Sequence, residues 1–325
     1  MSIQRVLITG AGGFIGSHLV EACVAAGDDV RVLLRYNSRN SRGWLDGLEC
    51  ERQLDVIAGD VRDPDLVNRA VRGVDTIFHL AALIGIPYSY ESPLAYVKTN
   101  VEGTANVLMA ARDHGVNNVI LTSTSETYGS AQHVPMDESH PAVAQSPYAA
   151  TKIAADQLGL SFARSFGLGV KIARPFNAYG PRQSLRAIVP TVISQLLSGT
   201  EVVVGNTHPT RDFTFVTDTV AGLLAVARSQ ELAGTAVNIG MGQEVSVGAL
   251  IDVIARLMGV RARVVNASER QRPEASEVDR LLCDNRRLIA ATGWTPAHTL
   301  ETGLTETIAW FRRRDRSAMA DSYHV

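Results

Sequence analysis

Two residues on one predicted helix have the right types and spacing for proton chemistry: Tyr148 and Lys152, in Tyr-Ala-Ala-Thr-Lys. Residues four apart share a helix face, so the phenol and the ammonium serve one site. A free tyrosine has a pKa of about 10, too high for a base at neutral pH. A neighbouring positive charge favours the phenolate, which can take a hydroxyl proton while hydride leaves the same carbon. Upstream, the hydroxyl-rich run Thr122-Ser123-Thr124-Ser125 closes a predicted strand and leads into Glu126. A tyrosine four residues before a lysine is common on helices; the strand-end hydroxyls give the pair its meaning.

Such chemistry needs an acceptor for the hydride. Gly10-Ala-Gly-Gly13-Phe14-Ile15-Gly16 follows the β-branched run Arg5–Thr9 and opens a helix. Glycines let a backbone turn tightly and approach a pyrophosphate, and a helix N-terminus supplies N–H donors. A tight strand-to-helix turn also wants glycine, but here strand, spacing and helix agree on a dinucleotide cradle. The nicotinamide of a bound dinucleotide adds a second positive charge beside Tyr148. The next strand ends in Leu34-Arg35-Tyr-Asn-Ser38-Arg39-Asn, with no acid to hold the adenosine ribose hydroxyls. Arg35, Ser38 and Arg39 therefore lean the expected cofactor, NAD(P), toward NADP, with NAD the close alternative.

The elements that position these residues follow from the apolar pattern. Arg5–Thr9, Asp29–Leu34, Val56–Ala58, Thr76–Leu80, Asn118–Thr122 and Val170–Ala173 read as strands, nearly apolar throughout. Helical patterns at Ile15–Ala26, Pro64–Val71, Leu94–His114 and Tyr148–Phe166 alternate with them. Strands apolar on both faces and separated by helices predict a Rossmann-type, doubly wound parallel sheet, an α/β fold. After Arg174 the rhythm changes, to a short strand at Glu201–Val204 and helices at Thr191–Leu197, Asp218–Ser229, Val247–Met258, Arg286–Thr292 and Leu300–Arg312. The expected division is a dinucleotide-binding domain over 1–174, a return segment near 212–240, and a smaller, mostly helical substrate lobe over 175–325.

With 325 residues, 20% charged residues and a net charge of −2, the chain is ordinary globular material with no bias toward nucleic acid or membrane surfaces. Cys23, Cys50 and Cys283 are odd in number and scattered, which argues against a disulfide framework and against zinc, and no histidine spacing suggests any metal. No secretory leader or long apolar span is seen, so a cytoplasmic protein is expected. The arginines 312, 313, 314 and 316 are expected to face solvent at a helix end.

Taken together, the glycine turn, Gly59-Asp60-Val61, His79-Leu80-Ala81-Ala82, Thr99-Asn100, Tyr148/Lys152, Arg174-Pro-Phe-Asn177, Arg211-Asp212-Phe and Arg272-Pro-Glu resemble the extended short-chain dehydrogenase/reductase family, its NAD-dependent epimerase/dehydratase branch. The resemblance covers nearly the whole chain. It implies that Asp60 and Val61 lie along the adenine, that Leu80, Ala81, Ala82 and Asn100 border the cofactor, and that His79 packs under the nicotinamide. Asn177, Arg186, Arg211 and Arg272 would hold the diphosphate and ribose of a sugar nucleotide, and Ser89 and Tyr90, with Tyr88, would line the sugar pocket. The family also implies a homodimer through a four-helix contact of Leu94–His114 and Tyr148–Phe166.

Within that family, Thr124-Ser125-Glu126 resembles the 4,6-dehydratases, whereas the 4-epimerases generally lack the glutamate. The stretches from Arg35 and from Gly180 to Pro190 resemble dehydratases of the legionaminic-acid type, acting on nucleotide-linked N-acetylglucosamine. The resemblance implies that Thr124 orients the 4-hydroxyl, that Tyr148 and Lys152 drive C4 oxidation, and that Glu126 takes the C5 proton, with Ser125 standing where some relatives carry an aspartic acid. A sugar-nucleotide 4-epimerase and a non-catalytic dinucleotide-binding sensor or scaffold are the alternatives.

Overall fold

The computed structural model describes residues 4–267 and 278–314. The first half runs β1 (Arg5–Thr9), α1 (Phe14–Ala25), β2 (Asp29–Leu34), β3 (Asp55–Ala58), α2 (Pro64–Val71), β4 (Thr76–His79), α3 (Ile86–Glu91), α4 (Pro93–Tyr96), α5 (Gly103–Asp113), β5 (Val119–Thr122), α6 (Pro147–Phe166) and β6 (Val170–Pro175). The predicted helix Leu94–His114 is α4 and α5 joined through a wider π-type segment, Val97–Glu102. The second half runs β7 (Asn177–Tyr179), α7 (Ile188–Ser198), β8 (Glu201–Val204), β9 (Thr210–Arg211), β10 (Phe213–Phe215), α8 (Val216–Arg228), β11 (Ala236–Ile239), β12 (Val245–Ser246), α9 (Val247–Met258), β13 (Arg263–Asn266), α10 (Arg286–Thr292) and α11 (Leu300–Arg313).

Seven parallel strands form one sheet in the order β11-β6-β5-β4-β1-β2-β3. Successive side chains of a strand point to opposite faces. Val6 and Ile8 of β1 enter a core with Leu19, Val20 and Cys23 of α1 and Leu223 and Val226 of α8. Leu7, between them, enters the other core, with Val67 of α2 and Val107 of α5. Burial on both sides is why β1 shows no apolar–polar alternation. The doubly wound α/β fold expected of the sequence is the fold observed.

Local signals set the helix starts. Asp63 accepts from the N–H groups of Asp65 and Leu66 and Pro64 opens α2; Ser146 accepts from the N–H of Ala149 and Pro147 opens α6. Each cap satisfies first-turn donors that a helix cannot satisfy itself.

Outside the sheet a third core gathers Val192, Ile193, Phe213, Phe215, Leu250, Ile254, Leu304 and Phe311. Phe14 and Ile15, from the first turn of α1, pack against it. Two polar ties join α1 to the turn after β7: His18 Nε2 to the Pro181 carbonyl at 3.0 Å, and the Arg182 guanidinium to Glu21 at 2.5 Å. The end of α11 is exposed as expected, and two of its arginines also touch the protein. The Arg314 guanidinium lies 4.3 Å over the Trp44 ring and 5.0 Å over that of Trp310, and Arg312 donates to the Met258 carbonyl. A guanidinium over an indole face at an exposed site gains about 0.5–1 kcal/mol, and these arginines keep their exposure to solvent. Arg316 is outside the described residues. No described helix is long and apolar enough to cross a membrane.

Candidate active site

β1 and β4 are neighbours, and the chain leaves them toward opposite edges of the sheet. The crevice at their carboxyl ends is where open α/β sheets bind ligands. Gly10 sits there at φ 70°, and a Cβ on it would lie 2.7 Å from the Ala81 nitrogen. A Cβ at Gly16 would lie 2.3 Å from the Gly10 carbonyl oxygen. Gly13 caps α1 with no side-chain acceptor, while Phe14 and Ile15 send their side chains into the third core. The first-turn N–H groups are thereby left for an acceptor from outside, which fits a pyrophosphate. The segment 41–46 lies on this turn: Trp44 N–H donates to the Gly12 carbonyl at 3.0 Å.

Beyond the end of β2, Arg35, Ser38 and Arg39 are exposed. Asp60 is bound by both arms of Arg62, at 2.9 and 2.7 Å, and Arg62 first, then the charge of Arg35, holds its carboxyl below the usual range. Arg35 is thus partly answered by an acid from the end of β3, and the expected lean toward NADP loses its basis. Val61 is buried. Leu80, Ala81 and Ala82 edge the crevice half-buried, and the Ala81 N–H is held by the Thr9 hydroxyl at 3.1 Å. Asn100 does not face a ligand. Its Oδ1 accepts from Leu83 N–H at 2.8 Å, and its Nδ2 donates to the Leu83 carbonyl and the Thr151 hydroxyl, both at 3.0 Å. Every polar position of the amide is engaged in fastening the segment after β4 to α6. His79 is likewise internal, between the hydroxyls of Thr9 and Thr104 at 2.8 and 3.2 Å; burial, with the charge of Lys152, pushes its pKa down to about 3, so it is neutral.

Thr124, Glu126 and Tyr148 come together beyond the end of β5. Thr124 caps a single 3-10 turn, Ser125–Tyr128, by accepting from the Glu126 N–H at 3.2 Å, and its hydroxyl also hydrogen-bonds the Tyr148 phenol. The Glu126 carboxylate is near enough for its charge to act on that phenol. Ser125 is buried beneath the turn. Lys152 is buried too, its ammonium donating to the Thr122 carbonyl at 2.6 Å. One expectation is corrected here. Burial raises the Tyr148 pKa and Glu126 raises it further, the Thr124 hydrogen bond offsetting only part. A carboxylate and a low-dielectric wall both disfavour a phenolate, so the protein alone holds Tyr148 protonated.

Across the crevice, Asn177 on β7 has a buried Nδ2 with no hydrogen-bond partner among the described residues. A buried donor without an acceptor is costly, and a ligand oxygen would supply one. Arg211 on β9 is half-buried and donates to the Thr210 carbonyl; Arg186 is exposed in the segment before α7. Tyr90 and Tyr88 are exposed on α3. Ser89 departs from expectation: it is fully buried and donates to the Ile86 carbonyl at 2.6 Å, inside its own helix. Arg272 lies outside the described residues.

Sequence reasoning missed the supports. Tyr96 packs edge-on to Tyr148, ring centres 6.3 Å apart, and Tyr128 anchors the 3-10 turn by donating to Asn238 Oδ1 at 2.7 Å. Arg174 and Asp156 form a buried ion pair at 2.9 Å behind Lys152. Asp156 was available as a signal, four residues beyond Lys152 on the same helix face.

Residues 7–307 match the family described as GDP-mannose 4,6 dehydratase. A dTDP-glucose 4,6-dehydratase of Streptomyces antibioticus is 33% identical over 315 residues, covering 95% of this chain and 92% of that protein. A putative UDP-glucose 4-epimerase of Methanocaldococcus jannaschii is 29% identical over 319 residues, covering 96% and 100%. Among solved structures, DesIV, a dTDP-glucose 4,6-dehydratase from Streptomyces venezuelae with NAD bound, superposes with a TM-score of 0.86 at 31% identity, covering 95% of this chain and 97% of that one. A family match across almost the whole chain, on a sheet with the glycine turn at its switch point and the tyrosine–lysine helix after β5, makes this protein a member of the GDP-mannose 4,6-dehydratase family of extended short-chain dehydrogenases/reductases.

Proposed function

We propose that the protein is a sugar-nucleotide 4,6-dehydratase working with a tightly held NAD. The observation that carries this reading is the convergence of the Thr124 hydroxyl, the Glu126 carboxylate and the Tyr148 phenol at one end of β5. The turn Gly10–Gly16 would hold NAD, which the similar DesIV structure binds, and the cofactor would supply a reversible hydride acceptor that is recycled within one turnover. Positive charge at the nicotinamide and at Lys152 then opposes the burial that keeps Tyr148 protonated.

Thr124 orients the 4-hydroxyl, and Tyr148 takes its proton as the C4–H bond gives up its electron pair and the C4 carbonyl forms. The new ketone acidifies the C5 proton. Glu126 removes that proton, the C5–C6 double bond forms, and the C6 hydroxyl leaves with a proton as water. Glu126 serves both halves of the elimination, because the Ser125 hydroxyl cannot act as a carboxylic acid; the proton passes through Ser125 or water. Reprotonation at C5 as C6 receives hydride gives a 4-keto-6-deoxy sugar with C5 configuration retained. Asn177, Arg186, Arg211 and Arg272 hold the nucleotide diphosphate, since a guanidinium forks onto phosphate oxygens. UDP-N-acetylglucosamine is the proposed substrate, on the resemblance of Arg35–Asn40 and Gly180–Pro190 to the legionaminic-acid type.

The proposed division is a dinucleotide-binding part over 1–174 with its return near 212–240, and a sugar-nucleotide part over the remainder. A homodimer through α4–α5 and α6 is proposed from their exposed apolar residues Leu94, Val97, Met109 and Phe166. A cytoplasmic setting accords with three free, buried cysteines.

The test is mass spectrometry of the purified enzyme incubated with UDP-N-acetylglucosamine and a panel of sugar nucleotides in heavy water. A product lighter by one water, with deuterium at C5, is expected. Unchanged mass with inverted C4 would instead establish the epimerase, and no turnover of any panel member would leave a binding protein.

A further inference from the structure

Lys152 is 7% exposed, and its ammonium donates to one backbone carbonyl, that of Thr122 at 2.6 Å. A carbonyl dipole does not neutralise a buried cation. The opposite charge that acts on it is Asp156, one helical turn further along α6 and 2% exposed, beyond direct ion-pair distance. That carboxylate is in turn fixed from β6: Arg174 Nε and Nη2 both reach its Oδ2, at 3.0 and 2.9 Å. Arg174 is 6% exposed; its Nη1 donates to the Tyr128 hydroxyl at 3.0 Å and its guanidinium carbon lies 4.9 Å over the Tyr128 ring. Tyr128 belongs to the same 3-10 turn as Glu126. Three buried charges thus run from the catalytic lysine through the sheet to the turn that carries the catalytic carboxylate.

We propose that Asp156 and Arg174 are positioning residues that keep Lys152 an ammonium at the pH of catalysis, Asp156 by its charge and Arg174 by holding Asp156 in place. The proposal rests on the reading of Lys152 as the partner of Tyr148. Stability alone gives weak reason for three buried charges, since apolar residues of similar volume commonly serve as well or better. Spacing supplies a stronger one: Tyr148, Lys152 and Asp156 recur every four residues and share a helix face. The groups that bond or act on the ammonium are the Thr122 carbonyl on β5, Asp156 one turn along α6 and, feeling its charge, His79 on β4, while Arg174 on β6 holds Asp156. Burial lowers the Lys152 pKa and Asp156 raises it. His79 is neutral and does not compete for Asp156, and Arg174 adds a like charge that Asp156 also answers.

The sign follows directly. Without the Asp156 charge, burial acts on Lys152 unopposed and its proton leaves at lower pH. Activity that needs the ammonium then fails earlier on the alkaline side. The removed carboxylate also stops raising the Tyr148 pKa, which moves the acid limb to lower pH whatever Lys152 does, so the alkaline limb is the discriminating one.

The experiment uses the cofactor-loaded enzyme, Asp156→Asn, Asp156→Glu and the double variant Asp156→Asn/Arg174→Met. Two quantities are followed against pH: the lysine Cε resonance of Lys152 by carbon NMR, assigned with Lys152→Arg, and the rate at which sugar nucleotide reduces the bound nicotinamide. For Asp156→Asn both midpoints are expected to fall by on the order of one pH unit or more. Asp156→Glu restores them. The double variant removes the Arg174 charge that Asp156→Asn alone would leave unanswered, so it folds where the single one fails, and the downward shift persists in it. An unmoved Cε titration, or a rate lowered by one factor at all pH values, overturns the proposal, as does a double variant with the wild-type profile. The Cε titration needs no turnover and the reduction step precedes dehydration, so product identity and this proposal fail separately.

Discussion

At the glycine turn the groups offered to a ligand are backbone N–H groups, and the side chains of Phe14 and Ile15 turn away into the third core. Across the crevice the offered groups are side chains: Thr124, Glu126 and Tyr148 from β5 and α6, Asn177 and Arg211 from short strands beyond the sheet. The two regions therefore tolerate change differently. A backbone site is the fold itself, since the close approach of Gly16 to the Gly10 carbonyl leaves no room for a Cβ. A side-chain site stands on the fold and can lose a functional group while the scaffold stays.

Substitutions that separate chemistry from scaffold have the largest expected effects. Tyr148→Phe should lower the rate of bound-nicotinamide reduction by about 10²–10⁴-fold, with bound cofactor and melting temperature unchanged. Loss of cofactor from that variant would break the contrast. Glu126→Gln should keep nicotinamide reduction but slow release of water by about 10²–10⁴-fold, seen as reduced cofactor accumulating in single-turnover absorbance. Full elimination activity in Glu126→Gln would remove the carboxylate from the proposed mechanism.

On the backbone side, Gly16→Ala should cost about 1–3 kcal/mol in denaturant unfolding, because the added methyl has no space, and cofactor affinity should fall with it. Stability lost without affinity, or the reverse, would show that turn and cradle are separable. Arg211→Ala should raise KM about tenfold or more with kcat retained, as expected when a charged hydrogen bond of about 1.5–3 kcal/mol holds the substrate equally before and during reaction. A fall in kcat instead would place Arg211 in the reacting geometry. Arg35→Ala should change NAD affinity by less than about 0.5 kcal/mol in calorimetry, being exposed and already beside Asp60.

The same contrast explains what the sequence shows. The glycine turn, the strands β1 to β6 and the Tyr148–Lys152 face were legible because backbone geometry and helix period impose fixed spacings. Val247–Met258, Arg286–Thr292 and Glu201–Val204 were legible for the same reason and coincide with α9, α10 and β8. What a side chain does once there was less legible. Asn100 and Ser89 carry the right groups at the right distance along the chain, yet Leu83, Thr151 and Ile86 engage them. Spacing along a sequence cannot show which partner wins in three dimensions. The positive charge of Lys152 was expected to lower the Tyr148 pKa, but the opposing burial and the Glu126 charge depend on packing that periodicity does not encode. Arg314 is exposed as expected, but its rest over Trp44 and Trp310, residues far apart in the chain, could not be read from spacing.

The last strand of the main sheet has a consequence for anyone recombining members of this family. β11 pairs with β6 through Ile172, Ala173, Arg174 and Pro175, and α8, just before it, supplies Leu223 and Val226 to the core shared with α1. A chimera joined at one crossover after residue 175 would import a foreign edge strand and a foreign half-core along with its new specificity. A hybrid that keeps α8 and β11 from the parent needs three crossovers, one before β7, one between β10 and α8 and one after β11, so that the β7–β10 pair is exchanged as a unit.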